Sequence, residues 1–158
     1  MNGQLKKISA ILADRGLNAE ALPDGADGIE VIRVPASAIV QTIQLLADDA
    51  EAGFDLLLAV TGTDYKDRIE VLYHLYATRS NRSVMVKVDL DRASPSVPSV
   101  SGIHPGANYH ERETYDLLGV VFVGHPDLRR LLLPYGWKGH PLRKDYIMDD
   151  ERLSWNSR

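Results

Sequence analysis

Residues 68–90, RIEVLYHLYATRSNRSVMVKVDL, decide the fold of this chain. Every second residue from Val84 to Leu90 is aliphatic, and the residues between them are charged or flexible. This alternation is typical of a strand with one buried face. The polar residues near the middle of the stretch suit a short hairpin loop. The stretch therefore predicts two strands, 68–77 and 83–90, paired as a hairpin.

The sequence before this hairpin predicts two helices and two further strands. In the first helix, Leu5, Ile8 and Leu12 recur at helical spacing, and Gly16 suits a left-handed helix end. The continuous apolar run before residue 61 is typical of a strand that is covered on both faces. The predicted elements are a helix at 2–15, a strand at 29–34, a helix at 36–50, a strand at 54–60 and a turn at 61–67.

The resulting order, αβαβββ, predicts an α+β domain with helices packed on one face of a mainly antiparallel sheet. We assign residues 1–92 to this platform domain. Residues 93–158 form a second part, which begins with an extended connector rich in Ser, Pro and Gly at 93–106. A chain of 158 residues buries enough surface to fold without a disulfide or metal staple.

A short charged helix is predicted at 109–118, after the connector. Asn108 and Glu111 have the spacing of a capping box at its start, and Gly119 suits its end.

Two of the charges on this helix, Arg112 and Asp116, are four residues apart and can form a pair. An exposed pair of this kind contributes only about 0.3 to 0.5 kcal/mol. Because an apolar run at 120–123 follows almost at once, we expect the helix charges to be partly enclosed.

The rest of the chain is predicted to run extended across a surface, because Pro126, Pro134 and Pro141 interrupt any long helix. This tail mixes aromatic residues with arginines, a combination that is enriched at interface hot spots. It is also basic, although the net charge of the chain is −4. The pattern predicts that the tail binds another protein, while some of its apolar residues fold back on the core.

The composition excludes several classes of protein. There is no cysteine, so the chain holds neither a disulfide nor a thiolate-ligated zinc or iron–sulfur site. No apolar run approaches the roughly 20 residues of a spanning helix, and the first residues contain no signal-peptide pattern. The acidic net charge argues against nucleic-acid binding. We therefore expect a protein in the cytoplasm or on the cytoplasmic side of a membrane.

Two other functions compete with the docking hypothesis. His110, Glu111, Glu113 and His125 could serve a free-standing acid–base enzyme or hold a metal. Against this, neighbouring helix positions point in different directions, and the histidines lack the spacing of a metal-ligand pair. Alternatively, the basic tail could bind nucleic acid or anionic lipid, but its basic residues are widely spread.

Several linked motifs give the chain a resemblance to a known family. They are ANYHERE at 107–113, Tyr-Asp at 115–116, Gly119, GHPDLRR at 124–130 and PLRKDY at 141–146. The chain resembles the thirty-kilodalton subunit, also called the C subunit, of proton-pumping NADH:quinone oxidoreductase, which is respiratory complex I. Two positions depart from the family pattern. Tyr109 stands where the family usually has Trp, and Leu118 where it usually has Phe or Tyr.

The resemblance implies a non-catalytic subunit of the peripheral arm, without a cofactor of its own. It would dock on the quinone-site D subunit, near the cluster-bearing B and I subunits, and support electron transfer from NADH to quinone coupled to proton translocation. FMN and iron–sulfur clusters would belong to partner subunits. Equivalent subunits of ferredoxin-linked photosynthetic complexes or membrane-bound hydrogenases remain an alternative. The predicted partner interface consists of Tyr109, Glu111, Arg112, Glu113, Asp116, His125, Asp127, Arg129, Arg130, Trp137, Arg143, Lys144, Asp145 and Tyr146.

Overall fold

A five-stranded sheet is the centre of the computed structural model, which describes residues 8–25, 28–50 and 52–147. Its strands are β1 (Glu20–Leu22), β2 (Glu30–Arg33), β3 (Leu56–Asp64), β4 (Arg68–Ala77) and β5 (Arg82–Asp91). They lie in the order β1-β2-β5-β4-β3. The predicted hairpin is confirmed, because β4 and β5 pair antiparallel from Arg68 opposite Asp91 to Ala77 opposite Arg82.

Two helices cover one face of this sheet. They are α1 (Ile8–Asp14) and α2 (Ile39–Asp48), and a short 3₁₀ turn at Ala36–Ala38 leads into α2. In α2, Ile39, Ile43 and Leu46 are fully buried and recur at helical spacing, so one stripe of the helix faces the sheet. The predicted helices are thus observed with narrower bounds, and residues 2–7 of the first lie outside the described part.

The α+β class with a mainly antiparallel sheet is confirmed. Among the described strands of this sheet, β2 and β5 pair in parallel, whereas β1–β2, β3–β4 and β4–β5 pair antiparallel. The parallel pair arises because α2 carries the chain from β2 to the opposite edge of the sheet. The place beside β2 is then filled by β5. The short strand β1 was not predicted, since its residues have no apolar alternation.

The edge strand β3 corrects two predictions. It continues to Asp64, which pairs with Ile69, so the turn predicted at 61–67 begins only after residue 64. Pairing with β4 overrides the local preference of Thr61 and Gly62 for a turn. The strand is also not covered on both faces, because Leu56 and Leu58 are exposed at the sheet edge.

The second part of the chain contributes a helix and a small parallel sheet. The helix is α3 (Ala107–Leu118), and the strands are β6 (Ser96–Pro98) and β7 (Val121–Val123). The connector predicted at 93–106 therefore contains a strand that sequence periodicity did not show. Its three residues are too few for a period, and only pairing with β7 makes them a strand.

Helix α3 packs closely against β3. A Cβ atom placed on Gly62 would lie 2.5 Å from Leu118 Cδ1 and 3.0 Å from Thr114 Cγ2, so this close approach requires glycine. The buried residues Val97 and Phe122 join the same hydrophobic core as the sheet. The two-part division at residue 92 stays a prediction, although the core runs across it.

Within residues 8–25, 28–50 and 52–147, no helix has both the length and the apolar character needed to cross a membrane.

Candidate functional site

The start of α3 differs from the predicted capping box. The residue before the helix is Gly106, and no side chain caps the helix there. Glu111 instead turns inward and is fully buried. Its carboxylate accepts hydrogen bonds from the Ser99 hydroxyl at 2.6 Å and the Val100 N–H at 2.8 Å. Glu111 therefore fixes the connector against the helix.

Asp116, in the last turn of α3, holds the chain that follows β7. One carboxylate oxygen, Oδ2, accepts the N–H groups of Leu131, Leu132 and Leu133 at 3.0, 2.8 and 2.9 Å. The other, Oδ1, accepts Arg130 Nη1 at 2.8 Å. Burial alone would raise the pKa of Asp116, but these four donors outweigh it and lower the pKa below its ordinary value. Asp116 is thus a buried anchor for the segment at 130–133.

Arg112 does not form the predicted pair with Asp116. Its Nε and Nη2 atoms donate to the carbonyl oxygens of Arg129 and Arg130, each at 3.2 Å. The pair at i, i+4 does not form because the Asp116 carboxylate already accepts hydrogen bonds from tail N–H groups and from Arg130. The expectation of partly enclosed helix charges is confirmed, since Arg112 is 9% exposed and Asp116 is 0% exposed.

A second anchor joins the tail to the far end of β3. Arg92 donates from Nε and Nη2 to both oxygens of Asp64, at 2.8 and 2.9 Å. The same guanidinium binds Asp145, and the Lys144 N–H donates to Asp64 at 2.8 Å. The Arg92 hydrogen bonds hold the pKa of Asp64 well below its usual range, against the opposing effect of burial. Residues 144–145 are therefore held by a second set of hydrogen bonds.

A third set of contacts lies at the end of α3. The Leu142 N–H donates to the Leu117 carbonyl at 3.0 Å, and Arg143 Nε donates to the Leu118 carbonyl at 2.7 Å. His140 Nδ1 donates to the Asp116 carbonyl at 2.9 Å, because a carbonyl oxygen can only accept. These contacts satisfy carbonyl groups that a helix end leaves without partners.

Gly119 makes this arrangement possible. It has φ +77°, and a Cβ atom there would lie 2.6 Å from His140 Cδ2. We expect Gly119→Ala to lower the free energy of unfolding by more than the roughly 1 to 2 kcal/mol that a left-handed backbone costs a residue with a side chain. Urea unfolding of the purified chain measures this. Gly124→Ala is the matched control, since Gly124 has φ +84° and nothing within 4 Å. Equal losses would show that His140 moves aside freely.

Of the four residues of the acid–base hypothesis, only Glu111 and His125 have side chains that lie close together. His125 Nε2 lies 4.0 Å from Glu111 Oε2, and both side chains are fully buried. The Asp127 N–H donates to His125 Nδ1, so Nε2 carries the ring hydrogen and donates to the Asn108 carbonyl. Glu113 lies on the exposed side of the helix. A substrate has no access to the buried pair, so the geometry favours a structural role.

Glu111 should make stability depend on pH. Burial raises its pKa, against the opposing hydrogen bonds from Ser99 and Val100. A carboxyl whose folded-state pKa is raised contributes stability below its unfolded pKa, about 4.3, and loses it as pH rises through the folded pKa. Glu111→Gln does not titrate. We therefore expect the unfolding free energy of Glu111→Gln, relative to wild type, to rise between pH 4 and 7.

Urea unfolding at a series of pH values tests this expectation. Glu113→Gln, on the exposed side of the same helix, is the matched control for replacing a glutamate of this helix. Parallel curves for wild type and Glu111→Gln would contradict the prediction.

Metal ligands do not gather in the described part of the chain. Among those residues, no three His, Asp or Glu side chains are placed to hold an ion.

The predicted interface residues differ widely in exposure. Tyr109, Glu113, Asp127, Arg129, Lys144 and Asp145 are exposed; Arg130, Trp137, Arg143 and Tyr146 are partly buried; Glu111, Arg112, Asp116 and the His125 side chain are buried. The buried group binds other parts of this chain. Contact of any of these residues with a partner stays a prediction.

Sequence reasoning missed two residues of the site, Asp64 and Arg92, which anchor the tail. Tyr135, one of the tail aromatic residues expected at an interface, is the most exposed of those described. Asp64 lies 80 positions before Lys144, whose N–H it accepts, so no local pattern could have connected them. Asp64 lay in the turn predicted at 61–67, where aspartate is an ordinary turn-forming residue.

The fold and the site together define a class of protein. It is an α+β domain that holds a C-terminal segment without helix or strand (residues 124–147) on buried carboxylates and arginines. A family model described as "Respiratory-chain NADH dehydrogenase, 30 Kd subunit" matches residues 32–152. The chain belongs to this family, as the resemblance of its motifs predicted.

Proteins similar to this chain include two that carry the name of the C subunit of NADH-quinone oxidoreductase. The one from Roseiflexus sp. (strain RS-1) is 43% identical over 144 residues, which cover 85% of this chain and 83% of that protein. The one from Methylobacterium sp. (strain 4-46) is 52% identical over 116 residues, which cover 72% of this chain and 54% of that protein. This chain therefore spans about half the length of the Methylobacterium relative.

Two solved structures share the fold. One is Nqo5, as a trypsin-resistant fragment (1-134), with a TM-score of 0.63 and 28% identity over 77% of this chain and 96% of that chain. The other belongs to the membrane-bound sulfane sulfur reductase, an archaeal respiratory membrane complex. It has a TM-score of 0.69 and 28% identity over 94% of this chain and 85% of that chain.

Proposed function

We propose that this chain is a non-catalytic subunit of the peripheral arm of a complex I-type NADH:quinone oxidoreductase. Membership of the 30 kDa subunit family and the names of the relatives support the assignment. The observation that carries it is the C-terminal segment, which is fastened to α3 and β3 by buried charges while it exposes apolar side chains to solvent. Leu132, Tyr135, Leu142 and Ile147 are all more than half exposed.

Exposed apolar side chains on a fixed backbone suit docking better than catalysis. Ordering a flexible segment on binding costs free energy, and a segment that is already ordered avoids most of that cost. In this proposal, residues 1–92 form the platform and residues 93–158 dock on the quinone-site D subunit, near the cluster-bearing B and I subunits. The chain then lies on the cytoplasmic side of the membrane and is attached through the complex.

The cofactors of the reaction belong, in this proposal, to the partners. FMN and iron–sulfur clusters carry electrons from NADH to quinone, and this chain holds the arm together without touching them. The absence of cysteine removes the thiolate ligands that such clusters use.

Purification of the tagged chain from its native membranes tests the assignment. We expect subunits of an NADH:quinone oxidoreductase to co-purify, together with NADH oxidation that a quinone-site inhibitor blocks. Recovery of the chain alone, from membranes that contain the active complex, would reject the proposal.

A second assignment is an equivalent subunit in a related complex that does not use NADH. This second assignment is supported by the similarity to a chain of an archaeal respiratory membrane complex, which covers 94% of this chain. The same purification separates the two. Flavin- and NADH-binding subunits among the partners support the first assignment, and their replacement by hydrogenase- or ferredoxin-linked subunits supports the second.

A further inference from the structure

A closed loop projects from the C-terminal segment between its anchors. We define it as the 134–139 loop, with the sequence PYGWKG. At its entry, the Leu133 N–H donates to Asp116 Oδ2. At its exit, Arg130 Nη2 donates to the Gly139 carbonyl at 3.0 Å, while Nη1 of the same guanidinium binds Asp116. One buried carboxylate and one arginine thus close the base of the loop.

Contacts within the loop and beside it restrict its shape further. The Trp137 N–H donates to the Pro134 carbonyl at 3.1 Å, which forms a turn across the tip. Gly136 takes φ +82° inside that turn. The Tyr146 hydroxyl donates to the Lys138 carbonyl at 3.3 Å. Hydrogen bonds therefore hold both the base and the tip of the loop.

Tyr135 stands at the tip of this loop with its side chain entirely in solvent. Its relative exposure is 107%, whereas the next most exposed large apolar residue among those described, Ile147, reaches 84%. In the described part of the chain, its hydroxyl has no hydrogen-bond partner. A rigid aromatic side chain offers a large contact area at low entropic cost, and tyrosine is enriched at interface hot spots.

We propose that Tyr135 is an anchor residue that inserts into a pocket on a partner protein subunit, with Asp116 and Arg130 as positioning residues. This inference rests on the proposed function, because it assigns the contact within the docking segment. The pocket has apolar walls for the ring and a polar group at its floor, since a buried tyrosine hydroxyl needs a hydrogen-bond partner. A carboxylate at the rim would suit Lys138, which is exposed beside the tip.

A protein pocket fits this loop better than a lipid surface. Electrostatic attachment to anionic lipid takes a cluster of several basic residues, and Lys138 is the basic residue within the 134–139 loop. The hydrogen bonds at the loop base fix the position of the loop backbone that carries Tyr135, which a fluid surface does not require. A fixed position is useful only where the receiving surface is also fixed.

The test uses the tagged full-length chain in its native membranes. We expect Tyr135→Ala to reduce the amount of co-purified partner, per tagged chain after a high-salt wash, by about tenfold or more. Tyr135→Phe keeps the ring and should fall between wild type and Tyr135→Ala. Leu58→Ala, an exposed apolar residue on β3 outside the C-terminal segment, is the matched control and should behave as wild type. Urea unfolding of the isolated Tyr135→Ala chain should match wild type, because the Tyr135 side chain is fully exposed in the described structure.

The positioning role of Arg130 has its own readout. Arg130→Met opens the loop base and should reduce partner recovery. If Arg130 acts through Tyr135, the double variant Arg130→Met/Tyr135→Ala recovers as much partner as Tyr135→Ala alone. Additive losses would show that Arg130 only supports the fold, and would overturn its positioning role.

Each remaining outcome decides the proposal. Wild-type recovery by Tyr135→Ala, or recovery by Tyr135→Phe as low as that by Tyr135→Ala, overturns the apolar pocket. Tyr135-dependent binding of the chain to vesicles of phosphatidylethanolamine and phosphatidylglycerol would replace the protein pocket with lipid. If wild type recovers no partner, the proposed function itself fails. If it recovers a complex without NADH-binding subunits and Tyr135→Ala loses that complex, the anchor stands while the NADH assignment falls.

Discussion

Asp116→Asn is expected to lower the free energy of unfolding by about 3 kcal/mol, because it removes the charge that holds residues 130–133. An asparagine side chain offers one oxygen and one NH₂ group in place of two oxygens. The NH₂ group faces either the three backbone N–H groups or the Arg130 guanidinium, so a donor meets donors. Arg130 then loses its buried carboxylate partner. We place the loss at the lower end of values for buried pairs, since Arg130 is 26% exposed.

Urea unfolding and limited trypsin digestion measure this effect together. Loosening of the segment should speed cleavage after Arg129 and Arg130 beyond the change expected from global stability. Asp127→Asn is the matched control, because the ion pair of Asp127 with Arg129 is exposed on both sides and contributes little. If Asp116→Asn were as stable as Asp127→Asn, Asp116 would not be the anchor of the C-terminal segment.

Asp64→Asn is expected to have an effect of similar size at the second anchor. The Asp64 side chain is 1% exposed and accepts two hydrogen bonds from Arg92 and one each from the Lys66 and Lys144 N–H groups. Removal of the charge leaves Arg92 without its inner partner and turns one acceptor into a donor. We expect a loss of about 3 kcal/mol at pH 7.

The loss at Asp64→Asn should shrink as pH falls. The folded-state pKa of Asp64 lies well below its ordinary value, chiefly because of the Arg92 hydrogen bonds. Its contribution to stability is therefore present above the unfolded pKa of about 3.9 and is lost as pH falls through the folded pKa. Urea unfolding at pH 7 and at pH 3 should show a smaller difference between wild type and Asp64→Asn at the lower pH.

Asp145→Asn separates the inner from the outer half of this anchor. Asp145 binds the same Arg92 guanidinium but is 65% exposed, so its replacement should change stability much less than Asp64→Asn. Equal losses from the two variants would mean that the buried Asp64–Arg92 pair stabilises the fold no more than the exposed Asp145–Arg92 pair. A constant difference across pH would contradict the assigned titration of Asp64.

Strand and helix positions were predicted well where the pattern is local. The alternation from Val84 to Leu90 and the helical spacing of Ile39 and Ile43 reflect burial of one face, which a short window of sequence records. The weaker predictions were those that depend on a distant partner. β1 and β6 are short and become strands only through pairing with β2 and β7.

The candidate site divides in the same way. Its motifs identified the family and marked α3 and the tail, and several of the marked residues do lie together. The assignment of partners was wrong for Arg112, which binds tail carbonyl groups rather than Asp116. Helical spacing shows which side chains are close enough to pair. It does not show which competing donor will occupy a carboxylate.

The sequence by itself determined the α+β class, the hairpin, the helix at α3 and the family, because periodicity and short motifs are properties of neighbouring residues. Only the tertiary structure decided that the buried charges of α3 bind other parts of the same chain. Asp116 and Asp64 reach donors 14 to 80 positions away. Burying a carboxylate requires that those donors converge on it, and convergence depends on how the elements pack. The same packing decided that Tyr135 points away from the protein.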